Sequence, residues 1–381
     1  MAHRNGRLRV VIAGGGVAAL EAMVALRTLA EERVEISLLA PDRDFFYRPL
    51  AVAEPFGAGE VLRFDLAGLA SGCAARHYFG SLVAVRAEDH RLRTSRNVWI
   101  DYDALLIAVG VRAREALPGA LTFRSQADVG AIRGLLDDIE FGPVKRALFA
   151  LPGGVTWPLP LYELALLTAD HAARAGRADV ELQIVTPEDA PLRLLGGEAS
   201  DTVAGLLEQR GIEVLTGVYP RAFEGGKLRI VPGDELEADR VVSLPRLRGV
   251  PLAGVPQDED FFIRTDSHGR VQGLQDVYAA GDITSFPVKQ GGLAAQQADA
   301  VAETIAAAAG APVKPQPFDP ILRGLLLTGS EPLFLRAELG GGRGETSIAE
   351  AEALWWPPAK IAARYLAPYL AEHAGLAFPR T

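Results

Sequence analysis

The feature that most constrains this sequence is a glycine-rich turn between a short apolar run and a helical segment near the N-terminus. Residues 8–13 read LRVVIA, a β-branched apolar run that predicts a buried strand. Glycines fill positions 14–16, a helical pattern then continues to about Ala30, and a second apolar run covers 34–39. Strand, glycine turn, helix and strand in this order indicate a dinucleotide-binding βαβ unit.

Each residue of the turn has its own physical role in binding a pyrophosphate. Gly14 permits the tight turn, and Gly16 lets the backbone approach the phosphates closely. Ala19 is small enough for the helix to pack tightly on the strand. The start of the helix, at Val17 and Ala18, offers free N–H groups and the positive end of the helix dipole.

The adenosine ribose has no obvious ligand in this sequence. An acidic residue typically closes the second strand of such a unit and binds the ribose hydroxyls, but Ala40 stands at that position. Asp42 and Arg43 follow within three residues. The ribose contact is therefore left open between these two side chains, the backbone and water.

A second motif lies far downstream, where residues 276–282 read DVYAAGD and residues 289–292 read KQGG. An alanine-rich helix is predicted from about Leu293 to Ala309. Together with the N-terminal turn, this pattern resembles the FAD-binding domain of the pyridine nucleotide-disulfide oxidoreductase superfamily. The resemblance implies that Asp282 binds the ribityl chain and that the helix directs its N-terminus at the flavin ring, where its dipole would stabilise reduced flavin.

A third segment agrees with this resemblance. The apolar strand near residues 102–110 ends in Gly110, where chains of the superfamily leave the FAD domain. We therefore expect non-covalently bound FAD. The expected cofactor-binding residues are Gly14, Gly16, Val17, Ala18, Ala19, Ala40, Asp42, Arg43, Arg48, Pro49, Val83, Ala108, Val109, Gly110, Gly281, Asp282, Lys289, Gln290 and Gly291.

The middle of the chain resembles a second nucleotide-binding unit with an altered turn. Strands are predicted at 146–151, 180–185 and 212–215. The turn at 152–160 reads PGGVTWPLP, so prolines and Trp157 stand where nicotinamide-dependent members place glycines. Proline removes N–H donors that a pyrophosphate needs, so we expect this unit to be degenerate, and NAD(P)H binding is left in doubt.

The proline-rich turn, with the segment DFFYRPL at 44–50, narrows the resemblance. It is similar to sulfide:quinone oxidoreductase, flavocytochrome c sulfide dehydrogenase and type II NADH dehydrogenase. The sulfide enzymes use a cysteine pair beside the flavin, whereas this chain has Trp157 and Pro158 near that place and a single cysteine, Cys73. Sulfide oxidation through a cysteine relay is therefore excluded.

Two side chains are candidates for chemistry near the flavin. Lys289 precedes the helix that the resemblance directs at the ring, and Glu163 opens the helix of the middle unit. A lysine there can stabilise reduced flavin and a carboxylate can relay a proton. The alternatives are a surface salt bridge for Lys289 and a helix N-terminal charge for Glu163.

These segments predict an α/β fold with two Rossmann-like, doubly wound domains of the three-layer ββα type and a C-terminal α+β segment. The FAD domain is expected at 1–112 and 238–317, and the NAD(P)-like domain at 113–237. The C-terminal segment, 318–381, contains an amphipathic pattern at 361–370, which predicts a helix that covers the flavin domain or a dimer interface. Peripheral membrane contact through this helix is the alternative.

Composition limits the partners. The net charge of −9 gives no support for nucleic-acid binding, and the six histidines show no metal-ligand spacing. No signal peptide or membrane span is evident, so we expect a cytoplasmic location, with peripheral contact at the inner face of the membrane as the alternative.

Three functional hypotheses follow from these patterns. The leading one is an FAD-dependent oxidoreductase that passes electrons from an unidentified donor to a quinone or a redox protein. The second is an NAD(P)H-dependent flavin reductase or dehydrogenase. The third is a flavin-bound scaffold without catalysis, and a homodimer is left open for all three.

Overall fold

The computed structural model describes residues 6–340 and 343–373. The α-helices are α1 Val17–Ala30, α2 Leu66–Gly72, α3 Val129–Glu140, α4 Leu159–Arg174, α5 Gly197–Gln209, α6 Gly291–Ala308 and α7 Leu366–His373. The strands are β1 Leu8–Ala13, β2 Val34–Ala40, β3 Asp44–Phe46, β4 Arg63–Asp65, β5 Arg76–Phe79, β6 Leu82–Arg86, β7 Arg91–Thr94, β8 Trp99–Asp101, β9 Ala104–Ile107, β10 Arg112–Arg114, β11 Leu121–Thr122, β12 Arg146–Ala150, β13 Glu181–Val185, β14 Ile212–Leu215, β15 Tyr219–Glu224, β16 Lys227–Val231, β17 Glu235–Glu237, β18 Arg240–Ser243, β19 Arg246–Arg248, β20 Val277–Ala279, β21 Ile321–Leu326, β22 Leu333–Gly340 and β23 Arg343–Glu350.

The first sheet is parallel and has the strand order β20-β9-β1-β2-β5. Strands β9 and β20 are fully buried apolar runs because both faces of the sheet are covered. Helices α1 and α6 pack on one face, where Ile12 joins their side chains. The antiparallel sheet β6-β7-β8 covers the other face through Leu82, Val85 and Leu92. This arrangement gives three layers, ββα.

A second parallel sheet follows the same plan, with the order β11-β18-β12-β13-β14. Helices α3, α4 and α5 cover one face through residues such as Ile132, Leu164 and Val203. The antiparallel sheet β15-β16-β17 covers the other through Leu228 and Ile230. The predicted α/β class with two doubly wound sheets is therefore confirmed.

The C-terminal part corrects one prediction. Strands β21, β22 and β23 form an antiparallel sheet. The helix expected at 361–370 begins only at Leu366, so Pro368 lies in its first turn, where no helical hydrogen bond needs its N–H. Residues 341–342 and 374–381 lie outside the described residues.

The apolar residues of this segment pack inward. Ile361 is 3% exposed, Leu366 2% and Leu370 0%, and all three join the cluster that contains α1. The face that the sequence left available for a membrane is thus covered by protein. Among the described residues, no helix combines the length and apolar character needed to cross a bilayer.

Candidate active site

The glycine turn after β1 has a geometry that only glycine tolerates at its first position. Gly14 has φ +142°, and a Cβ added there would lie 2.1 Å from the carbonyl oxygen of Ala108. Its N–H donates to the carbonyl of Leu39 over 2.8 Å. The turn is therefore held against the carboxyl ends of β1, β2 and β9, which is the edge where ligands bind open α/β sheets.

Gly16 precedes the first residue of α1 and faces open space. A Cβ added there would meet no atom within 4 Å. The first N–H groups of α1, from Val17 to Ala19, have no acceptor within the helix, as at any helix start. This open, N–H-lined corner fits the pyrophosphate of FAD.

The second motif meets the first at Gly281. This glycine has φ +80°, and a Cβ there would lie 3.0 Å from Cβ of Ala18 and 3.6 Å from Cβ of Ala294. The Gly281 N–H donates to Oε1 of Gln297 over 2.7 Å. The N-terminal ends of α1 and α6 thus converge on one point, although they are far apart in the sequence.

Asp282, the next residue, has a carboxylate whose hydrogen-bonding capacity is unused by the described residues. Burial raises the pKa of this carboxyl, and the charges of Lys289 and Arg48 oppose the rise. The side chain lines a cavity. A carboxylate that lines a cavity without a protein donor fits the hydroxyls of a ribityl chain.

The predicted adenosine contacts lie in two environments. Ala40 is fully buried and would lie 3.0 Å from a Cβ added at Gly15. Asp42 and Arg43 are exposed, and Arg43 Nε is 4.0 Å from Asp65 Oδ1. Val83 is 38% exposed on β6. Which of them touches adenosine stays a prediction.

A cavity of about 670 Å³ lies between the two sheets and the C-terminal segment. It brings together seven of the residues expected from the sequence, which are Arg48, Pro49, Glu163, Asp282, Lys289, Gln290 and Gly291. The turn after β12 supplies Gly154, Val155, Thr156 and Trp157 to the same cavity. Residues from segments throughout the chain therefore share one site.

Lys289 is 9% exposed and is not a surface side chain. Its Nζ donates to the carbonyl of Thr284 and lies 4.1 Å from the centre of the Phe262 ring. Burial lowers the pKa of Lys289 to about 8, against the charges of Asp282 and Asp258. The cation is held beside the Asp282 carboxyl by a carbonyl and a ring face.

Gln290 uses its side chain within the protein. Its Oε1 accepts the N–H of Leu293 over 2.8 Å and so caps α6. Its Nε2 donates to the carbonyl of Arg323 over 3.0 Å. Any contact between Gln290 and a cofactor would therefore be made by its backbone.

Glu163 is 1% exposed, although the sequence favoured an ordinary helix charge. Its Oε1 accepts from Nζ of Lys360 over 2.5 Å and from the N–H of Leu327 over 2.9 Å. Burial raises the pKa of the Glu163 carboxyl, while the ammonium of Lys360 opposes the rise. Glu163 and Lys360 both line the cavity, so a buried acid–base pair faces it.

The sequence did not single out Lys360 as a site residue. It lies in the C-terminal segment, and no motif or spacing relates it to Glu163. The adjacent Ile361 also enters the site, because its N–H donates to the hydroxyl of Tyr47 over 2.9 Å. Ile361 Cγ1 would lie 3.2 Å from a Cβ added at Gly291, so it covers the N-terminus of α6.

The turn after β12 differs from the turn after β1. Helix α1 begins directly after Gly16, whereas α4 begins at Leu159, five residues beyond Gly154. Pro158 and Pro160 stand at the start of α4, so that start offers fewer N–H donors. Arg246 donates to the carbonyl of Gly153 over 2.7 Å and so lies against the turn.

The end of β13 is also engaged within the protein. Glu188 accepts from the hydroxyl of Tyr162 over 2.6 Å and from Oγ1 of Thr186 over 3.0 Å. Burial raises the pKa of the Glu188 carboxyl. A carboxylate in this region that could bind a second ribose is therefore already hydrogen-bonded.

Other reactive groups are separate from the cavity. Cys73 is 2% exposed, and burial raises the pKa of its thiol. Among residues 6–340 and 343–373, no group of three or more His, Cys, Asp or Glu side chains could hold a metal ion. His3 lies outside the described residues.

Comparison with known proteins gives consistent matches. Residues 8–308 match the family described as pyridine nucleotide-disulphide oxidoreductase. The chain is 26% identical over 307 residues to the biphenyl dioxygenase system ferredoxin–NAD(+) reductase component of Paraburkholderia xenovorans, which covers 74% of this chain and 69% of that protein. It is 27% identical over 312 residues to a probable ferredoxin reductase of Castellaniella defragrans, with the same coverage.

Solved structures share the fold at low sequence identity. The sulfide:quinone oxidoreductase of Aquifex aeolicus has a TM-score of 0.79 and 20% identity, covering 90% of this chain and 86% of that one. A ferredoxin reductase of Rhodopseudomonas palustris has a TM-score of 0.65 and 20% identity, covering 87% and 83%. These matches confirm the predicted superfamily and an oxidoreductase that uses FAD.

Proposed function

This chain belongs to the pyridine nucleotide-disulphide oxidoreductase family, and we propose that it reduces a planar, quinone-type acceptor bound in the cavity beside the flavin. The observation that carries the proposal is the buried Glu163–Lys360 pair facing that cavity. A quinone takes up two electrons and two protons to become a hydroquinone. FAD, when bound, supplies the electrons. The chain must then relay from solvent the proton that does not arrive with the electrons.

The cavity has the size and walls for a flat apolar ring. Its volume of about 670 Å³ falls in the range of small-molecule sites. Aromatic side chains line it, among them Trp157, Phe262 and Phe286. Trp157 stands near the place where the resemblance puts a cysteine of the sulfide enzymes, and its ring lies 3.6 Å from a Cβ added at Gly324. The wall is thus suited to stacking and not to thiol chemistry.

Lys360 and Glu163 can move a proton at defined atoms. Nζ of Lys360 can donate a proton to an acceptor oxygen bound in the cavity, and Glu163 Oε1 stabilises the cation until the transfer. The raised pKa of the Glu163 carboxyl lets it hold a proton in turn. Both side chains are almost fully buried, at 6% and 1% exposure, so bulk water does not compete.

We infer that electrons do not enter from NAD(P)H bound tightly at the turn after β12. The late start of α4, the prolines at its N-terminus and Arg246 against Gly153 all oppose pyrophosphate binding there. Mixing the oxidised protein anaerobically with NADH or NADPH tests this point. Rapid bleaching of the flavin absorption would overturn it.

The second candidate is a reductase of a ferredoxin-type redox protein that takes electrons from NAD(P)H. The curated relatives carry such names, including a ferredoxin–NAD(+) reductase component. In that case the Glu163–Lys360 pair would have no proton to deliver, because a one-electron protein acceptor takes up no proton at the flavin. The two functions thus differ in their dependence on Lys360.

The deciding experiment starts from protein whose flavin has been photoreduced, so that no donor has to be known. It is mixed with one of two quinones, menadione or a soluble ubiquinone analogue. In a parallel experiment it is mixed with ferricyanide, which accepts single electrons without protons. We expect wild type to reduce the quinones rapidly, and Lys360→Met to slow quinone reduction by at least about 100-fold, within the range for a lost general acid. The rates of ferricyanide reduction by wild type and by Lys360→Met should agree within about twofold, as expected when no proton is transferred. Equal quinone rates in both proteins would contradict the proposal.

The remaining partner predictions are tested separately. Because the apolar face of the C-terminal segment is covered by protein, we expect the enzyme to meet a quinone without inserting that face into a bilayer. Flotation with liposomes containing anionic lipids measures membrane contact. Sedimentation at several protein concentrations measures the homodimer.

A further inference from the structure

Two buried carboxyl groups lie against each other behind the active site. Glu21, on α1, is fully buried, and Asp299, on α6, is its hydrogen-bonding neighbour. Oδ1 of Asp299 is buried and has no hydrogen-bond partner among the described residues. Two hydrogen-bonded carboxyl groups in a buried site cannot both stay ionised. One of them must be a neutral acid.

Glu21 is the partner with donors around it. Its Oε1 accepts the N–H of Tyr365 over 2.8 Å, and its Oε2 accepts the N–H of Leu366 over 2.6 Å. These N–H groups stand at the start of α7, which favours a negative charge. Glu21 is therefore the carboxylate, and Asp299 is the acid that donates to it.

The C-terminal segment that Glu21 binds also contains the site residue Lys360. Lys360 and Ile361 precede Tyr365 by four or five residues, and they reach Glu163 and the hydroxyl of Tyr47. The Glu21 carboxylate thus binds the C-terminal segment shortly after Lys360.

We propose that Glu21 and Asp299 are positioning residues, in which the Glu21 carboxylate, assisted by neutral Asp299, fixes the C-terminal segment so that Lys360 stays in the cavity. The part played by Lys360 in proton delivery rests on the proposed function, whereas the docking of the segment does not.

The charged groups around the pair define its pH response. Glu303, on α6, and Arg364, in the C-terminal segment, form an ion pair of 3.3 Å beside it, and Tyr365 faces it from the same segment. Burial and Glu21 raise the pKa of Asp299 to about 9, with Arg364 opposing. Above that pH, Asp299 ionises, its donated hydrogen bond is lost, and the segment should loosen.

The test measures amide hydrogen exchange of Tyr365 and Leu366 in the FAD-loaded protein at pH 7.5 and 10, corrected for intrinsic rates. We expect Glu21→Gln to exchange at least about tenfold faster than wild type at pH 7.5, as for losing hydrogen bonds to a charged group. Wild type should exchange at least about tenfold faster at pH 10 than at pH 7.5. Asp299→Asn, whose amide donates the same hydrogen bond, should remove that pH dependence.

A matched control is Glu303→Gln, which neutralises an acid on the same helix whose partner Arg364 is 63% exposed. It should leave exchange within about twofold of wild type, because the Arg364 side of this ion pair is exposed to solvent. Unchanged exchange in Glu21→Gln, or a pH response that persists in Asp299→Asn, would overturn the inference. If Glu21→Gln does not fold, the pH series with Asp299→Asn decides alone.

A kinetic readout separates this inference from the proposed function. Glu21→Gln should slow quinone reduction by photoreduced enzyme at saturating acceptor and leave ferricyanide reduction unchanged. If wild type reduces no quinone, the proposed function fails while the exchange data still report on the segment. If wild type does and Glu21→Gln matches it despite faster exchange, the positioning role fails.

Discussion

Nζ of Lys360 and Oε1 of Glu163 lie 2.5 Å apart, although 197 positions separate the two residues in the chain. The contact joins the C-terminal segment to the fifth residue of α4, and the N–H of Leu327 completes the set of donors to the same oxygen. Both side chains are nearly fully buried. Each charge depends on the other, because an unpaired charge at this depth would be strongly unfavourable.

The first prediction concerns the stability of this pair. Lys360→Met should lower the free energy of unfolding at pH 8 by about 3 to 5 kcal/mol, because it leaves a buried carboxylate without its partner. The double variant Glu163→Gln/Lys360→Met should recover much of that loss, since both charges are then gone. Urea unfolding of the three proteins measures the difference. A single variant as stable as wild type would show that the pair contributes nothing.

The second prediction separates two glycines of the first turn. Gly16→Val should fold normally but lose at least about tenfold in FAD affinity, because its side chain enters the open space kept for the pyrophosphate. Gly14→Ala should instead destabilise the fold by about 3 kcal/mol or more, because its Cβ would meet the Ala108 carbonyl at φ +142°. Flavin content and thermal unfolding distinguish the two. A fully yellow Gly16→Val protein would contradict the placement of the site.

The third prediction concerns the pH dependence caused by Lys289. Its pKa is lowered from 10.5 to about 8 by burial, so burying the ammonium costs stability fully below pH 8. As pH rises from about 8 to 10.5, the folded state loses the proton first, and the cost is relieved by up to about 3 kcal/mol. The stability of wild type minus that of Lys289→Met should therefore rise over this window. Asp299 titrates in both proteins, so its opposite effect on the pH dependence of stability cancels in this difference. A difference that does not change with pH would refute the lowered pKa of Lys289.

The fourth prediction concerns the single thiol. Cys73 is buried with a raised pKa, so it should not react with a thiol reagent in the native protein at pH 8. Cys73→Ala should keep the full rate of quinone reduction by photoreduced enzyme. Loss of that rate would mean that the cysteine takes part in electron transfer.

The local motifs of this fold could be predicted from the sequence. The glycine turn at 14–16, the strand before it and the helix after it depend on neighbours within one βαβ unit, so their pattern survives in the linear chain. Asp282 and Lys289 were predicted in the same way, from a second local motif. The structure places both at the cavity.

The environment of each candidate could not be predicted in the same way. Glu163 near the start of a helix has the sequence pattern of an ordinary N-terminal charge, and no motif marks Lys360. In the structure each of these side chains is buried and forms an ion pair with the other, which comes from a distant segment. The helix expected at 361–370 begins at Leu366, which places Pro368 in the first turn, where its missing N–H costs no helical hydrogen bond. The N–H of Ile361 donates to Tyr47.

The sequence by itself determined the cofactor class, because phosphate binding requires small residues at fixed short spacings next to a helix start. Only the tertiary structure decided which charges meet at the site. Pairs such as Glu163 with Lys360, and Glu21 with the N–H groups of Tyr365 and Leu366, are formed by elements that lie far apart in the chain and pack together in the fold. Their energies depend on burial, and burial is a property of the packed layers and not of any local pattern.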